Sequence, residues 1–98
     1  MKLRYSRLAE SDLDGIAAYT IREWGEAQAG RYLSELEDCC ERLADGPGMG
    51  RSCDAVRMQL RRMEQGSHVV FYNTDKSGIV VERILHKNMV PELHEFES

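Results

Sequence analysis

The chain predicts an α+β fold: an antiparallel β-sheet, made of a short N-terminal strand plus a three-stranded meander, packed on an α-helical hairpin in the order β-α-α-β-β-β. Three observations lead there. Two stretches before residue 46 repeat apolar residues every three or four positions, as buried helix faces do. Three short runs after residue 57 alternate in the manner of strands, and the gaps between them are short enough for hairpins.

Lys2-Leu3-Arg4-Tyr5 alternates polar and apolar as a short strand, and Ser6 stands where a helix cap belongs. Ala9, Leu13, Ile16, Ala17, Thr20 and Trp24 then fall on one helical face, with Gly25 as the stop. On that stripe Trp24 reads as a core residue. A second helix starts near Glu26 and buries Ala29, Leu33, Leu36, Cys40 and Leu43, with Tyr32 and Cys39 on its shoulder. Gly30 costs it about 1 kcal/mol relative to alanine, and Gly46-Pro47 ends it. So little sequence separates the two helices that they must form an antiparallel hairpin.

The segment from Gly46 to Ser52 is rich in glycine but has neither the lysine nor the preceding strand of a phosphate-binding loop, so it reads as a flexible crossover. The strands that follow run from about Met58 to Glu64, Ser67 to Asn73 and Ile79 to Leu85. Gln65-Gly66 and Thr74-Asp75-Lys76-Ser77-Gly78 are the turns between them.

Ninety-eight residues suit a single domain, 1–98, in which 86–98 form a tail that is mobile or touches a partner. A hydrophobic fraction of 42% with 31% charged residues is the composition of a soluble globular protein. There is no apolar run of the roughly 20 residues a membrane span needs and no signal-peptide core, so a cytoplasmic protein is expected. Cys39, Cys40 and Cys53 are odd in number and two are adjacent, which fits reduced thiols rather than a disulfide framework or a zinc site. A net charge of -4 excludes a nucleic-acid binder of the whole-surface kind, although Arg51, Arg57, Arg61 and Arg62 cluster while Glu92, Glu95 and Glu97 crowd the end.

Strand alternation carries the first functional expectation. Val69 and Phe71 point one way and Val70 and Tyr72 the other; Val81 and Leu85 likewise oppose Val80 and Ile84. Both faces are partly apolar, and a helical hairpin covers one. The second face is expected to be exposed and to seat a partner. The alternative is that Met89, Val90, Leu93 and Phe96 of the tail fold back over part of it.

Five segments in order carry a family resemblance: Ala9-Glu10-Ser11-Asp12-Leu13-Asp14-Gly15-Ile16, Trp24-Gly25, Pro47-Gly48-Met49-Gly50, Cys53 to Tyr72 with its Gly66-Ser67-His68-Val69-Val70-Phe71-Tyr72 core, and Arg83-Ile84-Leu85-His86-Lys87-Asn88-Met89. Together they resemble ParE-type toxins of ParD-ParE type II toxin-antitoxin modules, in the ParE/RelE superfamily. The resemblance covers nearly the whole chain. It implies a helical hairpin on a small antiparallel sheet, inhibition of DNA gyrase with arrest of replication and growth, and neutralisation by a ParD-like antitoxin with a ribbon-helix-helix DNA-binding domain and a wrapping C-terminal arm. Any contact with DNA would be indirect, through antitoxin or gyrase. No cofactor and no enzymatic activity are implied.

Two alternatives stand beside it. A RelE-like ribosome-dependent mRNA endoribonuclease would need cations and an acid-base group at the reacting phosphate, and Arg61, Arg62, Arg83 and His86 are the candidates. The tyrosine and the dense lysine and arginine of such relatives are missing from the C-terminal region, and the acidic ending repels RNA. A non-toxic binding partner of a DNA-binding antitoxin is the other.

For antitoxin contact the sheet face and its rim nominate Leu60, Arg62, Val70 and Tyr72. Trp24, His86, Met89, Leu93 and Phe96 are the candidates for target contact. His86 on leaving its strand also has a purely structural reading, His68 one of fixing the turn at Gly66, and Trp24 that of core packing. His86, His94, Glu92 and Glu95 match no metal-site spacing, and no metal is expected. Cys39 and Cys40 read as core fillers rather than nucleophiles.

Overall fold

A computed structural model describes residues 2–96. β1 (Lys2–Tyr5) leads into α1 (Arg7–Trp24) and α2 (Glu26–Asp45), and a 3-10 turn at Pro47–Met49 passes the chain to β2 (Arg51–Ser52), β3 (Arg61–Gln65), β4 (His68–Asp75) and β5 (Gly78–His86). A second 3-10 turn, Pro91–Leu93, lies in the tail. The helices form where the apolar period puts them. Ser6 is the N-cap of α1: its hydroxyl accepts the Ala9 N–H at 3.0 Å and donates to the Glu82 carbonyl at 2.8 Å, so the cap also pins the helix to β5. Gly25 alone separates α1 from α2. Its φ of +88° is the reversal that glycine makes without Cβ strain.

The sheet runs β1-β5-β4-β3-β2. β3, β4 and β5 form the expected meander, but β1 pairs parallel to β5, from Lys2 with Gly78 to Tyr5 with Val81. The sheet is therefore mixed rather than antiparallel. No tight turn joins β1 to β5, and the long intervening chain leaves the parallel arrangement free to form. β2 is a further correction, since Arg51 and Ser52 pair with Arg62 and Arg61 instead of crossing over loosely.

That crossover is held by Tyr72. Its hydroxyl donates to the Pro47 carbonyl at 2.6 Å and accepts the Gly50 N–H at 3.0 Å. A Cβ on Gly50 would lie 2.2 Å from the same hydroxyl, so only glycine allows the approach. Tyr72→Phe should cost about 1–3 kcal/mol, because it leaves two backbone groups without a partner. Urea unfolding reads this directly, and a variant as stable as the parent would contradict the role.

Two cores lie on the two faces of the sheet. Val70, Tyr72, Ile79, Val81 and Ile84 pack under the hairpin with Ala9, Ile16, Leu36, Cys40 and Leu43. Val81 and Ile84 share this face because the β4–β5 register shifts beside Phe71/Tyr72, pairing Phe71 with Arg83 but Tyr72 with Val81. The simple alternation, which puts these two on opposite faces, is corrected by that bulge. Glu82 is the residue left over. It is 4% exposed and ion-paired with Arg57.

The second face is also closed. Cys53, Leu60, Val69, Phe71 and Leu85 form its core, with Val56 and Phe96 packed on the edge. The connection from Cys53 to Leu60 turns over it, and Phe96 meets Phe71 edge to face at 5.6 Å. The expectation of an exposed apolar sheet is thus corrected: the chain covers both faces itself. Phe96 does what the tail alternative proposed, while Met89, Val90 and Leu93 stay exposed. Among the described residues no helix is long and apolar enough to cross a membrane.

Candidate partner-binding groove

An exposed apolar surface lies between the helices and the end of β5. Here a groove of about 830 Å³ is walled by α1 and the start of α2, floored by Ile84, Leu85 and His86, and overhung by Met89 and His94 of the tail. Tyr19, Trp24 and Met89 at its rim are 56%, 64% and 47% exposed. Large side chains left in water on a concave surface mark a contact site. The stripe of α1 is covered as far as Thr20 and runs out before Trp24, which corrects its expected place in the core.

One ion pair builds the groove wall. Arg83 Nε and Nη2 each donate to a different oxygen of Asp12 at 2.8 Å, and the Ile84 N–H donates to Asp12 Oδ2 at 2.9 Å. The remaining Nη1 donates to the Glu95 carbonyl at 2.8 Å. A single guanidinium therefore joins α1, β5 and the tail. The hydrogen bonds to Asp12 hold Arg83 still more firmly in its charged form.

The inner end is aromatic and imidazole. The Tyr32 hydroxyl lies 2.5 Å from His68 Nδ1 and accepts the Ser67 N–H at 3.0 Å. His68 and His86 are direct cross-strand partners whose rings stand edge to face at 5.5 Å. Burial depresses the His68 pKa, and the neighbouring His86 depresses it further against a small opposing pull from Asp12. Burial raises that of Tyr32. Gly66, at φ +59°, carries the turn beneath the Tyr32 ring, where a Cβ would come within 2.7 Å of it.

The sequence-nominated residues scatter. Leu60, Val70 and Tyr72 are 1% exposed or less and offer a partner no surface; burial on both sides of the sheet corrects them as contacts. Arg62 alone of that set reaches solvent, lying over Phe71 with its guanidinium 5.4 Å from the ring and bonded to Glu64 at 3.2 Å. Trp24, His86 and Met89 do converge, in the groove. Leu93 is exposed beyond it, and Phe96 is spent on the second core.

Of the nuclease set only Arg83 and His86 share the groove, and Arg61 and Arg62 lie outside it. Arg61 donates to the Gly48 and Gly50 carbonyls, and Arg83 is occupied by Asp12. Gln65, not Arg61, sits level with His68 and His86, so Arg61 is displaced by roughly 13 Å along the sheet. The buried Cys39 and Cys40 thiols are shifted upward, Cys40 to about 12 by desolvation, and both stay protonated and inert. Among the described residues no cluster of three metal-ligating side chains exists.

Asp12, Tyr19, Tyr32 and His68 were not named as site residues by sequence reasoning. No local signal links Asp12 with Arg83, 71 positions away.

Comparison with known proteins agrees with this geometry. The family model described as ParE toxin of type II toxin-antitoxin system, parDE, matches residues 3–91. Toxin ParE1 of Caulobacter vibrioides is 43% identical over 93 residues, covering 93% of this chain and 94% of that one. Toxin ParE1 of Mycobacterium tuberculosis is 39% identical over 92 residues, covering 91% and 94%. Toxin ParE of Escherichia coli is 41% identical over 83 residues, covering 83% and 80%. Among solved structures, the chromosomal ParDE TA system from P. aeruginosa superposes with a TM-score of 0.75 at 19% identity, over 88% of this chain and 95% of that one, which supports the fold. The chain belongs to the ParE toxin family of type II toxin-antitoxin systems.

Proposed function

We propose that this toxin arrests growth in the cytoplasm by binding DNA gyrase and that a ParD-like ribbon-helix-helix antitoxin neutralises it by occupying the groove. One observation carries the reading: both sheet faces are closed, while Tyr19, Trp24 and Met89 stand exposed around one concavity. Antitoxin and target then compete for the same surface, with Leu93 beyond it as a further target contact. Family membership supports the partners, and the engaged arginines count against phosphodiester chemistry.

Trp24→Ala should weaken the antitoxin complex by about 2 kcal/mol or more, roughly 30-fold, as loss of an aromatic anchor does. Gly15 supplies a second variant. It lines the groove, and a Cβ there meets nothing within 4 Å, so Gly15→Met fills the space without straining the fold. Calorimetric titration should find both variants folded and weakly bound. Unchanged affinity in both would move the antitoxin elsewhere.

A further inference from the structure

All three histidines of the chain, His68, His86 and His94, line this one groove. His68 is held by the Tyr32 hydroxyl, and His86 Nδ1 accepts the Asn88 N–H at 3.1 Å. Among the lining residues Asp12 is the sole carboxylate, and Arg83 already engages both its oxygens. The other titratable groups facing the pair are Tyr19 from α1 and Tyr32 from α2, on which Glu35 also acts. Among the described residues lining the groove, no unpaired carboxylate is therefore present to balance new positive charge.

Resting on the groove as the antitoxin seat, we infer that it is a pH-gated docking surface: protonation of His68 and His86 at mildly acidic pH expels an apolar partner segment. The cause is desolvation. A partner that covers the groove with apolar side chains removes water from the two imidazoles, and a buried unpaired charge is far costlier than a buried neutral ring. Two imidazolium rings with centroids 5.5 Å apart also repel each other. The complex accordingly favours both rings neutral, so association at low pH must release protons. The downward shift at His68 already follows the same direction in the free chain. The Tyr32 hydroxyl lies between His68 Nδ1 at 2.5 Å and the Gln65 carbonyl at 3.4 Å and accepts the Ser67 N–H that holds the turn, so proton uptake at Nδ1 alters the hydrogen bonding at the groove's inner end as well.

Linkage sets the size. An imidazole of ordinary pKa, about 6.5, that must be neutral in the complex weakens binding about tenfold at pH 5.5 relative to pH 7.5, and the downward shift at His68 makes its own share smaller. The test is the affinity of the intact toxin for its purified ParD-type antitoxin at those two pH values, read by calorimetry. The parent should lose affinity several-fold on acidification, and the double variant His68→Gln with His86→Gln should lose most of that dependence. His86→Gln alone keeps the His68–Tyr32 contact and should give an intermediate slope, which guards against misfolding of the double variant. Identical slopes in parent and double variant, or tighter binding at pH 5.5, would overturn the gating while leaving the seat intact. Absence of a complex at pH 7.5 would remove the seat and the gating together.

Discussion

Asp12→Ala should destabilise the protein by about 3–5 kcal/mol, a large part of the 5–15 kcal/mol typical of a domain. The Asp12 and Arg83 side chains are each only 13% exposed, so removal of the carboxylate strands a guanidinium that water reaches poorly. It also strips the acceptor from the Ile84 N–H. The double variant Asp12→Leu with Arg83→Leu should recover part of the loss, since an apolar pair of similar volume carries no stranded charge. Urea denaturation of the three proteins measures both effects. A single variant within 1 kcal/mol of the parent would mean that the pair is solvated and does not hold the groove wall. Because Arg83 also holds the Glu95 carbonyl, amide exchange in the tail should quicken in the same variant.

Gly78→Ala should detach β1 from the sheet. A Cβ at this position would lie 1.9 Å from the Lys2 carbonyl oxygen and 2.7 Å from its nitrogen, and neither atom is the end of a movable side chain. The φ of +150° adds strain for any residue but glycine. Loss of at least about 3 kcal/mol is expected, with exchange protection lost along Lys2–Tyr5. Native-like protection of β1 would contradict the close approach. Gly30 is the opposite case. It sits in α2 with open space around it, and Gly30→Ala should raise stability by about 1 kcal/mol.

How much of this was legible in the sequence depended on the range of the interaction. Ser6, Gly25 and Gly46 act on their own neighbours and could be read directly as cap, reversal and stop. The apolar stripe gave both helices but overran at Trp24, since periodicity records a residue's angle on the helix and not whether anything lies above it. Parallel pairing of β1 and closure of the second face by residues 53–60 depend on long-range contacts without a local period. The bulge at Glu82 changed which β5 residues share a face, and a strict two-residue alternation cannot contain it. His86 and Met89, nominated from the sequence, do line the groove, whereas Asp12 and Tyr32 became visible there only when α1, α2 and β5 came together.

Gyrase itself provides the most direct test of the proposed function. Purified toxin added to gyrase and supercoiled DNA should trap cleaved DNA or block supercoiling, Trp24→Ala should weaken that effect, and antitoxin added first should abolish it. Growth arrest with gyrase fully active, accompanied by cleavage of mRNA on translating ribosomes, would contradict the central claim.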